Sequence, residues 1–316
     1  MRKLCSLLTA AVLLLSACTI KPGSSSGDEP RLTVLATTYP VYLLASAVTE
    51  GVEGIQVERL STGQVSCLHD YTLSVDDMKK LEGADVIAMN GAGLEEFMED
   101  ALAVSDAVVI DCSQGVELLE NLEHHHEGED HDDHDHGHWD PHYWMDPRRA
   151  ARMVENIVQG LTAADPDNGD TYRDNGEKAA LLLSTWDAEA RELLAQEGMP
   201  EITGLITFHD GFQYFAAAYD LPLLAAIEEE AGSEASAKEI NEITALVKEK
   251  NIPVIFTEVN GSDATANAIA RETGCAVAQL SMCMDGPDGA LSNYGDALRG
   301  NVAAIINGFA GEERVK

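Results

Sequence analysis

Positive charge is what this chain has least of. Its 20 Lys and Arg stand against 55 Asp and Glu in 316 residues, a formal net charge of −35. Such a surface repels phosphate backbones and anionic headgroups, which argues against nucleic acid or acidic lipid as a partner. The same field concentrates cations and steers them toward a cleft. Apolar sequence of membrane-spanning length is also missing at the N-terminus, where the apolar-rich stretch Leu4–Leu15 has 12 residues against the ~20 that a spanning helix needs. Histidine is scarce outside one segment, where only His69, His142 and His209 occur. No convincing general base or substrate pocket stands out, although Asp70, Asp210 and Glu258 lie near those histidines. Apolar residues, at 45%, are plentiful enough for a sizeable core, and the length suits one large domain or two ordinary ones.

The first residues are a targeting signal and stay outside the fold. Arg2 and Lys3 open it, and Leu15-Ser16-Ala17-Cys18 closes it. That ending resembles the lipobox of bacterial lipoproteins, which implies cleavage after residue 17, a lipid on Cys18 and anchoring to the outer face of the cytoplasmic membrane. Residues 18–30, with Gly23-Ser24-Ser25-Ser26-Gly27, have the composition of a flexible tether.

From Arg31 onward, short apolar runs alternate with helical patterns. Leu32–Ala36, Ile55–Leu60, Asp85–Asn90 and Ala107–Asp111 read as strands, with helices predicted over 40–50, 74–82 and 94–102. The alternation resumes with strands at Gly204–Phe208, Leu221–Ile227, Val254–Thr257 and Ala276–Leu280. Between the two sets lies a helical pattern from Asp170 to Gln196, free of proline and ~40 Å long at 1.5 Å per residue. The expected fold is α/β: two lobes, each a parallel sheet flanked by helices, joined by one long helix with a cleft between the lobes. The expected boundaries are an N-terminal lobe at 31–146, connecting helices at 147–197 and a C-terminal lobe at 198–316.

The segment that organises the chain is Glu123–Pro147. Its first part carries His124, His125, His126, His131, His134, His136 and His138, seven of the chain's 10 histidines, interleaved with Asp and Glu. With nothing apolar to bury, this loop (123–138) is a solvated metal-collecting tract, because imidazole suits zinc, copper and nickel. The composition then turns to Trp139, Tyr143, Trp144 and Met145, an ordering patch that holds His142 in one orientation.

His69, His142 and His209 all fall at strand ends or ordered turns, two in the first lobe and one in the second. Three imidazoles match tetrahedral zinc. For a fourth ligand, Asp285 on the loop after the last strand is the first choice; Glu228, Glu229, Glu230 or a water are alternatives, and Cys67 could join His69. These features resemble the zinc- and manganese-specific solute-binding lipoproteins of bacterial ABC importers. The resemblance is carried by Gly63–Tyr71, by Asp140-Pro141-His142-Tyr143-Trp144-Met145-Asp146-Pro147 and by Thr207-Phe208-His209-Asp210-Gly211-Phe212. Phe256-Thr257-Glu258 and the closing segment 294–301 extend it over essentially the whole mature chain. It implies a metal held between the lobes by His69, His142 and His209, a permease as partner, a monomer and no catalysis. The histidine-rich loop implies the zinc branch, with Mn²⁺ as the alternative ion. A manganese receptor, a metal-sequestering surface lipoprotein or adhesin, and a zinc enzyme remain competing readings. In an exported protein, Cys67, Cys112, Cys275 and Cys283 form an even set, and Cys67–Cys112 and Cys275–Cys283 are the expected disulfides.

Overall fold

A computed structural model describes residues 30–60, 71–121, 138–228, 236–259 and 263–315. Two four-stranded, fully parallel sheets form the two lobes. In the first lobe β1 (Leu32–Ala36), β2 (Ile55–Arg59), β3 (Val86–Met89) and β4 (Val108–Asp111) lie in the order β2-β1-β3-β4. In the second, β5 (Leu205–His209), β6 (Leu223–Glu228), β7 (Val254–Glu258) and β8 (Ala276–Leu280) repeat that order as β6-β5-β7-β8. In each sheet the chain winds first to one side and then to the other. Each therefore has a switch point, between β1 and β3 and between β5 and β7, where a crevice opens outside the carboxyl ends of the strands.

The helices follow from local chemistry. α1 (Tyr39–Val48) starts where the Thr38 side chain accepts from the Val41 N–H and Pro40 fits the first turn. α2 (Val75–Gly83) starts at a reciprocal capping box between Ser74 and Asp77. The predicted helix at 94–102 is instead a 3₁₀ turn at Glu96–Met98 followed by the single-turn α3 (Glu99–Leu102). Glu95 explains the shortfall: its buried carboxylate turns back to accept from the Asn90 and Gly91 N–H groups, which fastens residues 91–93, all at positive φ, into a tight loop. α4 (Pro147–Ala164) is capped by Asp146, and α5 (Gly169–Leu194) is the long connecting helix. The turn between them is tied to the start of β1 by paired hydrogen bonds of 2.9 and 2.8 Å from Arg31 to Asp165. The second lobe carries α6 (Gln213–Ala218), α7 (Ala237–Lys250), α8 (Ala264–Thr273) and α9 (Ser292–Ala310).

One hydrophobic core runs through both lobes. It joins Val34, Leu44 and Trp144 to Tyr172 and Trp186 of α5, and continues into Phe215, Val254 and Ile305. Smaller cores lie on the outer faces, around Leu35 and Ile87 in the first lobe and around Ile206 and Ile255 in the second. The lobes are thus fused through α4, α5 and α9 rather than hung on a flexible hinge. The α5–α9 crossing is close: a Cβ on Gly295 would stand 2.7 Å from the Trp186 ring. Among the described residues, no helix is long and apolar enough to cross a membrane.

The cysteines differ from expectation. Cys112, Cys275 and Cys283 are free thiols, with Cys112 and Cys283 buried. Cys275 and Cys283 lie beyond opposite ends of the five-residue β8, which at ~3.3 Å per residue keeps them far outside the Cα separation of a disulfide. Cys67 lies outside the described residues. Burial pushes the Cys283 thiol up to about 12, and that of Cys112 well above its ordinary value. Alkylation of the unreduced, denatured chain should therefore label Cys112, Cys275 and Cys283; a mass showing the last two protected would mean a different loop around β8. Gly295→Ala should lower stability by about 1–3 kcal/mol in urea unfolding, since the indole has no flexible end to yield.

Candidate metal site

The second lobe's switch point presents one histidine, and the turn after the histidine-rich loop brings a second against it from the first lobe. In the second lobe, β5 ends at His209, buried to 1% exposure. β5 and β7 pair at Thr207 and Phe256, so two residues further on His209 has Glu258, also buried, beside it at the end of β7. On its other side the register sets the backbone of Glu228 opposite His209.

In the first lobe the switch point is filled by a polar frame rather than by a ligand. Thr37, just after β1, donates to Glu95 at 2.6 Å, and Asn90, just after β3, donates its N–H to the same carboxylate at 2.7 Å. The Asn90 amide then donates to the Pro141 carbonyl at 3.0 Å, while its own carbonyl accepts from the Tyr143 hydroxyl. Asn90 thereby grips both neighbours of His142. Burial pushes the Glu95 carboxyl up to about 7, against the opposing hydrogen bonds from Thr37, Gly91 and Asn90.

His142 itself begins the 3₁₀ turn Tyr143–Met145 and is 4% exposed. Asp140 holds it twice: one oxygen accepts from the His142 backbone N–H at 2.9 Å and lies 2.8 Å from ring Nδ1. The carboxylate places the proton on Nδ1 and leaves the Nε2 lone pair pointing forward, the usual way a second carboxylate orients a metal-binding histidine. Asp140 is fixed in turn from across the cleft, where the Tyr214 hydroxyl donates to its carbonyl at 2.8 Å.

The two rings meet tip to tip. His142 Nε2 and His209 Nε2 are 3.3 Å apart, with the rings nearly perpendicular at 87°. Two nitrogens bound to one tetrahedral zinc at 2.0–2.1 Å stand about 3.3–3.4 Å apart, so the pair is already spaced as two corners of such a site.

Of the other predicted ligands, His69 lies outside the described residues, as do His124, His125, His126, His131, His134, His136, Glu229 and Glu230. His138 is described: it stands at the base of the histidine-rich loop, its ring against Trp139 and 3.8 Å from the Glu120 carboxylate. The backbone there is drawn together by the Glu120–Trp139 bridge, one residue before Asn121 on one side and three before His142 on the other. Asp285 is not brought to the histidines. Its carboxylate, 36% exposed, pairs with Arg59 at 3.3 Å and caps the Gly286 N–H at 2.8 Å. Arg59 holds it away from them, and among the described residues no third His, Cys, Asp or Glu joins His142 and His209. Residues overlooked at the sequence level include Asn90 and Glu95, which touch no ligand directly and carry no recognisable motif. Asp140, by contrast, lies inside the very motif that marked His142.

Paired imidazoles buried between two parallel α/β lobes are the arrangement expected of a metal-binding receptor. Residues 34–308 match the family described as zinc-uptake complex component A, periplasmic, and the chain belongs to it. It is similar to the high-affinity zinc uptake system protein ZnuA of Bacillus subtilis, 29% identical over 280 residues that cover 87% of this chain and 86% of that one. The zinc-binding lipoprotein AdcA of Streptococcus pneumoniae is 29% identical over 279 residues, and there the chain spans 54% of the relative's length. Among solved structures, the laminin-binding protein Lmb of Streptococcus agalactiae, titled a bifunctional protein with adhesin and metal transporting activity, superposes with a TM-score of 0.74. Its 24% identity over 87% of this chain and 99% of that one carries the fold alone. The family is that of an uptake component, not an enzyme.

Asp140→Asn should weaken zinc binding by about 10–100-fold in competitive titration while leaving the unfolding midpoint of the metal-free chain nearly unchanged. For Glu95 the folded-state value lies above the unfolded one. Its stabilising contribution is therefore complete below pH ~4.5 and lost as pH rises through about 7. Urea unfolding of the metal-free chain should lose on the order of 2–3 kcal/mol across that window, and Glu95→Gln should flatten the dependence.

Proposed function

We propose that the chain captures Zn²⁺ outside the cytoplasmic membrane and delivers it to an ABC permease. His69, His142 and His209 would hold the ion. The observation that carries this reading is the tip-to-tip pair of imidazoles, 3.3 Å apart, with Asp140 fixing the proton on the far nitrogen of one of them. Zinc is favoured over manganese because the groups assembled are imidazoles, whereas the harder manganese ion prefers carboxylate oxygen. Asp285, the carboxylate expected to complete the set, is bound to Arg59 instead, which leaves the fourth position to another group.

The fused core supports a receptor that loads and releases ions through small movements at the cleft. Cys18 would carry the lipid that keeps it near its permease, and a monomer suffices because the site is built from one chain. The histidine-rich loop, rooted three residues from His142, is suited to gathering ions by transient contacts and passing them inward.

Competitive metal titration of wild type, a deletion of residues 124–138 and His209→Ala tests the assignment. One tight Zn²⁺ site that survives the loop deletion and weakens by at least about 100-fold in His209→Ala is expected. Tight binding that vanishes with the loop and ignores His209 would instead describe a metal-sequestering lipoprotein.

A further inference from the structure

Beside the paired imidazoles lies a side chain that the zinc assignment leaves unused. Met282, on the loop after β8, is 1% exposed and lies beside Gly211, two residues after the second lobe's histidine. A Cβ added to Gly211 would stand 2.2 Å from its methyl carbon, 2.9 Å from its sulfur and 2.6 Å from Cδ2 of His209. The thioether and the imidazole thus crowd the same point, and Cδ2 is the carbon bonded to the nitrogen that faces His142. Only glycine at position 211 leaves room for both.

The loop is built to keep that side chain there. The Ser281 N–H donates to the Asn301 side chain at 2.7 Å, and the Asn301 amide donates back to the Ser281 carbonyl at 2.8 Å. The Met282 carbonyl accepts from the Trp144 indole N–H at 2.9 Å, and Trp144 lies edge-on to His142. Cys283 then turns the chain in the left-handed region, at φ 57°, a conformation costly to a residue with a side chain and kept only where its surroundings fix it. This turn sends Asp285 outward to Arg59 while Met282 stays inside. The Met282 side chain therefore lies on the His209 flank of the site, where a carboxylate was expected.

We propose that Met282 determines metal specificity: its thioether contacts the ion held by His142 and His209 and biases the site toward ions that accept soft ligands. The inference rests on the zinc-receptor reading. A thioether is a soft, uncharged donor that suits cadmium better than zinc and manganese hardly at all, whereas a carboxylate at the same place would favour manganese. Discrimination of this kind needs only the absence of a hard ligand on one side.

The test is competitive titration of the full-length chain with Zn²⁺, Cd²⁺ and Mn²⁺, comparing wild type with Met282→Leu and Met282→Glu. Leucine keeps the apolar contact with Gly211 and so the fold. Met282→Leu should reduce the Cd²⁺ to Mn²⁺ affinity ratio about tenfold, and Met282→Glu should reduce the Zn²⁺ to Mn²⁺ ratio by at least as much. X-ray absorption of the cadmium-loaded wild type should show one sulfur neighbour that Met282→Leu lacks. Ratios unchanged within twofold, or no sulfur in the wild type, would overturn the inference while a His209-dependent zinc site left the receptor reading standing. Loss of both would come from a wild type whose zinc affinity ignores His209.

Discussion

Two imidazole nitrogens held 3.3 Å apart and shut off from water do not stay there by their own attraction. If both carried protons they would repel, and a single shared hydrogen bond contributes only about 0.5–1.5 kcal/mol net. The arrangement is imposed on them. His209 is placed by the end of a central strand, and His142 by a turn gripped between Asp140 and Asn90. Everything else in the fold that bears on function serves to keep these two frames in register.

That register is maintained by contacts crossing from lobe to lobe around the site. Tyr214 of the second lobe donates to the carbonyl of Asp140, Trp144 donates to the carbonyl of Met282, and Tyr294 of α9 donates to the Trp144 carbonyl at 2.6 Å. Tyr39 at the start of α1 donates to the Asp288 carbonyl at 2.8 Å, closing the rim beside the Arg59–Asp285 pair. These bonds are buried or half-buried and attached to a common apolar core, so the cleft behaves as one packed region with little freedom to open widely. For a receptor of a single small ion that is an advantage: a bare cation needs ligands positioned to a few tenths of an ångström and no large aperture.

The same arrangement clarifies why charge alone is a poor guide to ligands. The chain has carboxylates in excess, yet several of those around the cleft are committed elsewhere. Asp140 orients an imidazole, Asp146 caps α4 and binds Arg149 at 2.5 Å, and Asp285 pairs with Arg59. Acidic composition draws cations to the protein, whereas the groups that would bind one tightly are the scarce histidines.

Much of this could be read from the chain itself. Strands and helices alternate with short connections, which is sufficient for parallel sheets because a parallel crossover needs a covering helix. His142 and His209 were legible because one sits within a proline-framed aromatic patch and the other closes an all-buried strand. A Cys275–Cys283 disulfide is excluded by the extended strand between them, a constraint already present in the sequence. Three things waited on the tertiary structure: the frame of Thr37, Asn90 and Glu95 behind His142, the capture of Asp285 by Arg59, and the burial of Met282 beside Gly211. Each joins residues far apart in sequence whose local patterns are unremarkable. Periodicity and motif report what a segment does with its own neighbours; which carboxylate meets which cation, and which side chain fills the last flank of a site, is settled only when both lobes close on one core.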